Sequence, residues 1–145
     1  MARIEKFEDL EVWKKTRELT NAIYKITASG SFARDFGLRD QLRRAAVSTV
    51  SNIAEGFERG GDKEFMQFLA VAKGSCGEIR AQLYIALDQK YMTEDQFQEL
   101  IGRTTEVSRL LRGCPKTKSL ENKPLHKIRG RLNYRILQNG LVSSG

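Results

Sequence analysis

Histidine is almost missing from this chain, proline and cysteine are scarce, and no long apolar run occurs; each absence closes off a class of function. His126 is the single histidine. General acid–base chemistry draws on histidine or on carboxylates paired in a pocket, and a di-iron bundle needs repeated Glu-x-x-His motifs. The chain is therefore expected to be no enzyme, with no catalytic residue, no metal and no cofactor. Cys76 and Cys114 are far apart and have no second pair beside them, which predicts two reduced thiols rather than a disulfide framework or a zinc site. Cys76 falls on the core side of a helix, where it serves as a small hydrophobe. Neither Gly60-Gly61 nor Gly74-Ser75-Cys76-Gly77 matches a phosphate-binding loop. No stretch approaches the roughly 18 apolar residues of a membrane span, and Met1 to Lys15 lacks a signal-peptide core. The expectation is a cytoplasmic protein that stays off membranes.

Two prolines in 145 residues leave room for long uninterrupted helices, and a 40% apolar, 30% charged composition suits one soluble domain. The charge is unevenly spread. Residues 1–112 carry eighteen basic and seventeen acidic side chains, nearly balanced; residues 113–145 carry seven basic side chains against Glu121 alone, so the net charge of +7 sits mostly at the end. The predicted organisation is a helical domain over 1–113 and a basic tail over 114–145.

Apolar spacing of alternating four and three predicts four helices. The first runs from about Leu10 to Ala28 on Val12, Thr16, Leu19, Ile23 and Ile26, with Asp9 as N-cap and Ser29-Gly30 as stop. The second begins near Arg34 or Leu38 and ends near Arg59, burying Leu38, Leu42, Ala45, Thr49, Ile53 and Gly56. Asp62 caps the third, which holds the rhythm longest, through Phe65, Leu69, Ala72, Cys76, Ile79, Leu83 and Ala86. The fourth opens on a capping box from Thr93 to Gln96 with a staple between Met92 and Phe97, and turns Leu100, Thr104, Val107 and Leu111 inward. Gly113 and Pro115 end it. Short connections make consecutive helices antiparallel, so the predicted fold is all-α, an up-down-up-down four-helix bundle with a basic C-terminal tail. Within the tail, Asn122 and Pro124 open a short basic helix over about 124–138, and the competing reading is a hairpin turning at Asn139-Gly140. Trp13 is read as a packing residue.

Two helices carry a second apolar face. In the second helix Val47, Val50 and Ala54 lie outside the core arc, with Arg43 among them; in the third, Val71, Gly74, Ala81 and Ile85 form a line that includes Glu78. Single exposed apolar residues are ordinary, but two such lines predict self-association, with Arg43 and Glu78 as candidate partners across the contact. Arg44, Ser48, Ser51 and Glu55 also align at steps of four, three and four, a ridge suited to hydrogen bonds between helices.

The runs FEDLEVWKK (Phe7 to Lys15), LRDQLRRAAVSTVSNIAEGFERG (Leu38 to Gly60) and FLAVAKGSCGEI (Phe68 to Ile79) resemble the four-helix-bundle proteins encoded by intervening sequences of bacterial large-subunit ribosomal RNA. That family is related to accessory variability determinant proteins of diversity-generating retroelements. The resemblance covers about residues 4–112. It implies an antiparallel bundle in a ring, a pentamer, with nucleic-acid binding as its proposed activity, and a reverse transcriptase with its RNA as partners in the accessory proteins. Val50 stands where the family commonly has proline, and the tail is longer than the family's.

The candidate nucleic-acid residues are Arg39, Arg43, Arg44, Lys73 and Arg80 in the helices and Lys127, Arg129, Arg131 and Arg135 in the tail, where Tyr134 can stack on a base. Against this, the helical arginines have Asp35, Asp40, Glu55, Glu58 and Glu78 available as ion-pair partners. The two functional readings are an oligomeric RNA-binding protein and an oligomeric scaffold for a protein such as a reverse transcriptase.

Overall fold

The computed structural model describes residues 4–112, and these contain five α-helices, one 3-10 turn and no strand. The long helices are α1 (Glu11–Ile26), α3 (Phe36–Glu58), α4 (Asp62–Asp88) and α5 (Glu94–Arg112); α2 (Gly30–Arg34) is one short turn between α1 and α3. At 1.5 Å per residue the 27 residues of α4 span about 40 Å. The tail, with its predicted basic helix or hairpin and Lys127, Arg129, Arg131 and Arg135, lies outside the described residues.

Each four-three line became a buried face. Every core position assigned to α4, from Phe65 to Ala86, is buried, as are Val12, Thr16, Leu19 and Ile23 of α1 and Leu100, Thr104, Val107 and Leu111 of α5. Ile26 and Leu38, at the margins, are half-buried. Threonine can occupy such positions because its hydroxyl finds an acceptor in its own helix. Thr16, Thr49 and Thr104 donate to the carbonyls of Val12, Ala45 and Leu100 at 2.6, 2.9 and 2.6 Å. These three hydroxyls are paired inside the apolar interior, whereas the buried indole nitrogen of Trp13 has no hydrogen-bond partner.

Contacts fix the neighbours: α1 packs on α3 and α5, and α4 packs on α3 and α5. Residue numbers fall along one helix as they rise along the next. Thr20 meets Ala46 while Thr27 meets Arg43; Gly56 faces Phe68 while Ser48 meets Ser75; Cys76 meets Thr104 while Tyr84 meets Phe97. The α3–α4 crossing is tight at Gly56, where a Cβ would stand 2.5 Å from Cβ of Phe68.

Helix ends depart from expectation in three places. Asp9 does not cap α1: it closes the 3-10 turn Phe7–Asp9, and the cap position falls to Leu10, whose burial draws the chain inward before the helix starts. Gly30 does not terminate a segment but opens α2 at φ +66°, letting Phe32 turn into the core. Gly61 holds the cap position of α4, while Asp62 is its first residue and is buried. The box at α5 closes as predicted, Thr93 N donating to Gln96 Oε1 at 2.9 Å and Gln96 N to Thr93 Oγ1 at 3.2 Å, above buried Met92 and Phe97. Trp13 packs edge-on against Phe7 at 5.1 Å.

Candidate nucleic-acid interface

The N-terminal half of α3 starts from a cap the sequence pattern did not single out. Asp35 Oδ1 accepts from Leu38 N at 3.1 Å, which fixes the first turn and thereby the direction of Phe36, Arg39 and Arg43. These three sit at steps of three and four, on one flank of the helix. Arg39 is held by two groups: Nε donates to Asp40 Oδ1 at 2.9 Å and Nη1 to the carbonyl of Ala33 at 3.0 Å, leaving the guanidinium 4.7 Å from the Phe36 ring centre. Arg43 donates through Nε to Thr27 Oγ1 at 2.8 Å and lies 4.6 Å from the Tyr24 ring of α1. Thr27 is buried, and its hydroxyl donates to the Ile23 carbonyl at 2.7 Å. Arg43 is thus engaged inside the protomer, on the α1 flank, and does not pair with Glu78 there.

The five candidate cations of the helices do not share one surface. Arg39 and Arg43 come together on the α1–α3 edge. Arg44 lines a groove of about 330 Å³ between α3 and α4, with Gln41, Ser48, Ser75, Glu78 and Gln82. Lys73 and Arg80, seven residues apart on α4, lie on its α5 side, where Cys76 reaches the Thr104 carbonyl at 3.3 Å and Tyr84 reaches Phe97. Of the anticipated ion pairs, Arg39–Asp40 forms, while Glu55 takes Arg59 at 3.0 Å and Asp35 takes the Tyr91 hydroxyl. Arg44, Lys73 and Arg80 form no ion pair with another described residue.

In the groove, Ser48 and Ser75 hydroxyls stand 3.0 Å apart, and Asn52 Nδ2 donates to Ser48 Oγ at 3.1 Å. Of the polar ridge, Ser48 bonds across helices; Ser51 and Glu55 face solvent. Gln82 Oε1 is buried at the groove wall with no donor. Beside it runs the line on α4: Val71 is 53% exposed and Ile85 48%, and Gly74 has no atom within 4 Å of where its Cβ would be. On α3, Val47 is 42% exposed, whereas Val50 and Ala54 are half-buried. Ala81 and Glu78 face solvent between Gly74 and Ile85.

Cys76 is fully buried, and burial pushes its thiol up to about 11, so it is no nucleophile at neutral pH. Among the described residues no group of histidine, cysteine and carboxylate side chains could hold a metal ion, and no helix is long and apolar enough to cross a membrane.

Phe36, Tyr24 and Gln82 escaped the sequence reading. The Phe36–Arg39 spacing of three was a usable signal, since side chains three apart meet on a helix. Tyr24 and Arg43 meet only through packing of two helices, and nothing local announces it.

The sequence model of the 23S rRNA-intervening sequence protein family matches residues 8–113. The chain belongs to that family. The match spans α1 to α5 and stops where the basic tail begins. The fold is also similar to the crystal structure of a protein of unknown function from the S23 ribosomal protein family of Bacteroides thetaiotaomicron. That likeness has 25% identity and a TM-score of 0.66, and covers 73% of this chain and 99% of the other. No curated protein matches the chain. As an intervening-sequence family member the chain shares its helical domain with its relatives, and residues 114–145 lie beyond the family's matched region.

Proposed function

We propose that this intervening-sequence family protein is a non-catalytic, cytoplasmic RNA-binding protein whose four long helices form an antiparallel up-down-up-down bundle and whose bundles assemble into a closed ring, a pentamer as the resemblance implies. The observation that carries the assembly is the uncovered line Val71, Gly74, Ala81 and Ile85 beside the unpaired Gln82 Oε1. Apolar groups in a row and a buried acceptor without a donor both favour a second surface, and the open space at Gly74 lets a backbone come close. The complementary apolar surface is Val47, Val50 and Ala54 on the far flank of α3. Two different faces meeting head-to-tail generate a ring when the rotation closes.

RNA as the ligand rests on charge and family. The net charge is +7, concentrated in the tail with Lys127, Arg129, Arg131 and Arg135, and ring symmetry multiplies each cation. Neutralising several phosphates makes affinity fall steeply with salt. Binding of a labelled RNA, measured from about 50 to 200 mM salt, is expected to give a steep line of log K against log salt, and truncation after Gly113 to flatten it. No binding at about 50 mM salt would reject the RNA reading and favour a scaffold that holds a protein such as a reverse transcriptase.

A further inference from the structure

Phe36 is the most exposed large apolar side chain among the described residues, at 64%, and it opens α3 beside two arginines. Its ring has the Arg39 guanidinium 4.7 Å from its centre on one side. At this exposure the other face is in water. Further along α3, the Arg43 guanidinium lies 4.6 Å from the ring of Tyr24 on α1, which is 41% exposed. Neither guanidinium is free to swing: Asp40 and the Ala33 carbonyl hold one, and Thr27 holds the other. The corner therefore presents two held ring–guanidinium pairs, Phe36 with Arg39 and Tyr24 with Arg43. Seven residues of α3 separate Phe36 from Arg43, about 10 Å at 1.5 Å per residue. That is close to three nucleotides at about 3.4 Å each.

We propose that this α1–α3 corner is a stacking platform for unpaired nucleobases, so that the RNA this protein takes is single-stranded or looped rather than duplex. The proposal rests on the RNA-binding reading above and adds to it the class of RNA. Flat side chains offer a π face that any base can cover, and arginine adds a cation that attracts the neighbouring phosphate. In a duplex both faces of each base are already stacked and the reading edges are recessed, so an exposed ring has nothing to cover it. Of the acidic groups at the corner, Asp40 is paired with Arg39, and Asp35 keeps its charge but has both oxygens engaged, by Leu38 N and by the Tyr91 hydroxyl. The preorganised planes also limit the ordering needed on binding.

The test uses the full chain with a fluorescent oligouridylate and a duplex RNA of equal length, at about 50 mM salt. Phe36→Leu keeps an apolar side chain and removes the ring; Phe36→Trp keeps a plane. The expected result is a loss of about fivefold or more in single-strand affinity for Phe36→Leu, with duplex affinity and salt slope unchanged. Phe36→Trp should restore binding. Arg39→Lys keeps the charge but loses the plane, and is expected to weaken the single strand selectively as well. Equal single-strand affinity for wild type and Phe36→Leu, with wild type binding RNA, overturns the platform while the RNA reading stands. A Phe36→Leu chain that sediments more slowly and binds RNA normally assigns the ring to a protein contact instead. Absence of RNA binding by wild type removes both.

Discussion

The Tyr91 hydroxyl donates to Asp35 Oδ2 at 2.8 Å, while the other carboxylate oxygen of the same residue accepts from Leu38 N. One side chain thus caps α3 and ties the α2–α3 corner to the α4–α5 connection 56 residues later. The backbone makes the far end of this link stiff. Lys90 adopts φ 62°, and Tyr91 N and Lys90 N return to the carbonyls of Ala86 and Leu87, both at 2.9 Å, closing α4 in a Schellman turn. Phe32 stacks on Tyr91 at 5.2 Å.

This link predicts a two-sided pH dependence. The hydrogen bond from Leu38 N, then that from Tyr91, hold the Asp35 carboxyl below its ordinary range, and burial only partly offsets them. A depressed folded value means the contribution is complete above the unfolded range of about 4 and fades as pH falls through the folded value. The bond to Asp35 pushes the Tyr91 hydroxyl up, so its contribution is complete below about 10 and fades as pH rises past the folded value. Thermal melts followed by circular dichroism should show Asp35→Asn lowering Tm at neutral pH and shrinking the wild-type loss in acid. An Asp35→Asn chain with the full acid loss would assign that loss to other carboxylates.

The α3–α4 crossing depends on the missing side chain at Gly56. An added Cβ meets Phe68 Cβ at 2.5 Å and the Phe65 ring at 3.2 Å, and the nearest of these is next to backbone, so the helices must separate. Gly56→Ala is expected to destabilise by about 1–3 kcal/mol in urea unfolding despite the better helix propensity of alanine. Gly74→Ala, with open space around it, should be neutral or slightly stabilising in a lone protomer and should weaken assembly.

The proposed ring gives a third expectation. Glu78 faces solvent in the groove beside Arg44 and Gln82, within the line from Val71 to Ile85. Glu78→Lys places two cations together and is expected to dissociate the oligomer without unfolding the helices. Sedimentation velocity and circular dichroism on the same sample check it, and an unchanged sedimentation coefficient would exclude this face as the contact.

What the sequence determined by itself was which residues face inward. A four-three spacing is a property of one helix, so Phe65 to Ala86 could be assigned to a core without knowing what covers them. Capping at Thr93–Gln96 is equally local and was legible; the caps at Leu10 and Gly61 were missed because Leu10 is itself buried and Asp62 turns inward as the first residue of α4. Family membership was legible too, in strings such as Ser51 to Gly56. Only the tertiary structure decided how the cations divide: Arg39 and Arg43 beside Phe36 and Tyr24, Arg44 in the groove, Lys73 and Arg80 toward α5. Periodicity gives each helix a face but no neighbour. Which rings meet which guanidiniums depends on the rotation and crossing of separate helices, which contacts as distant as Gly56–Phe68 and Asp35–Tyr91 set.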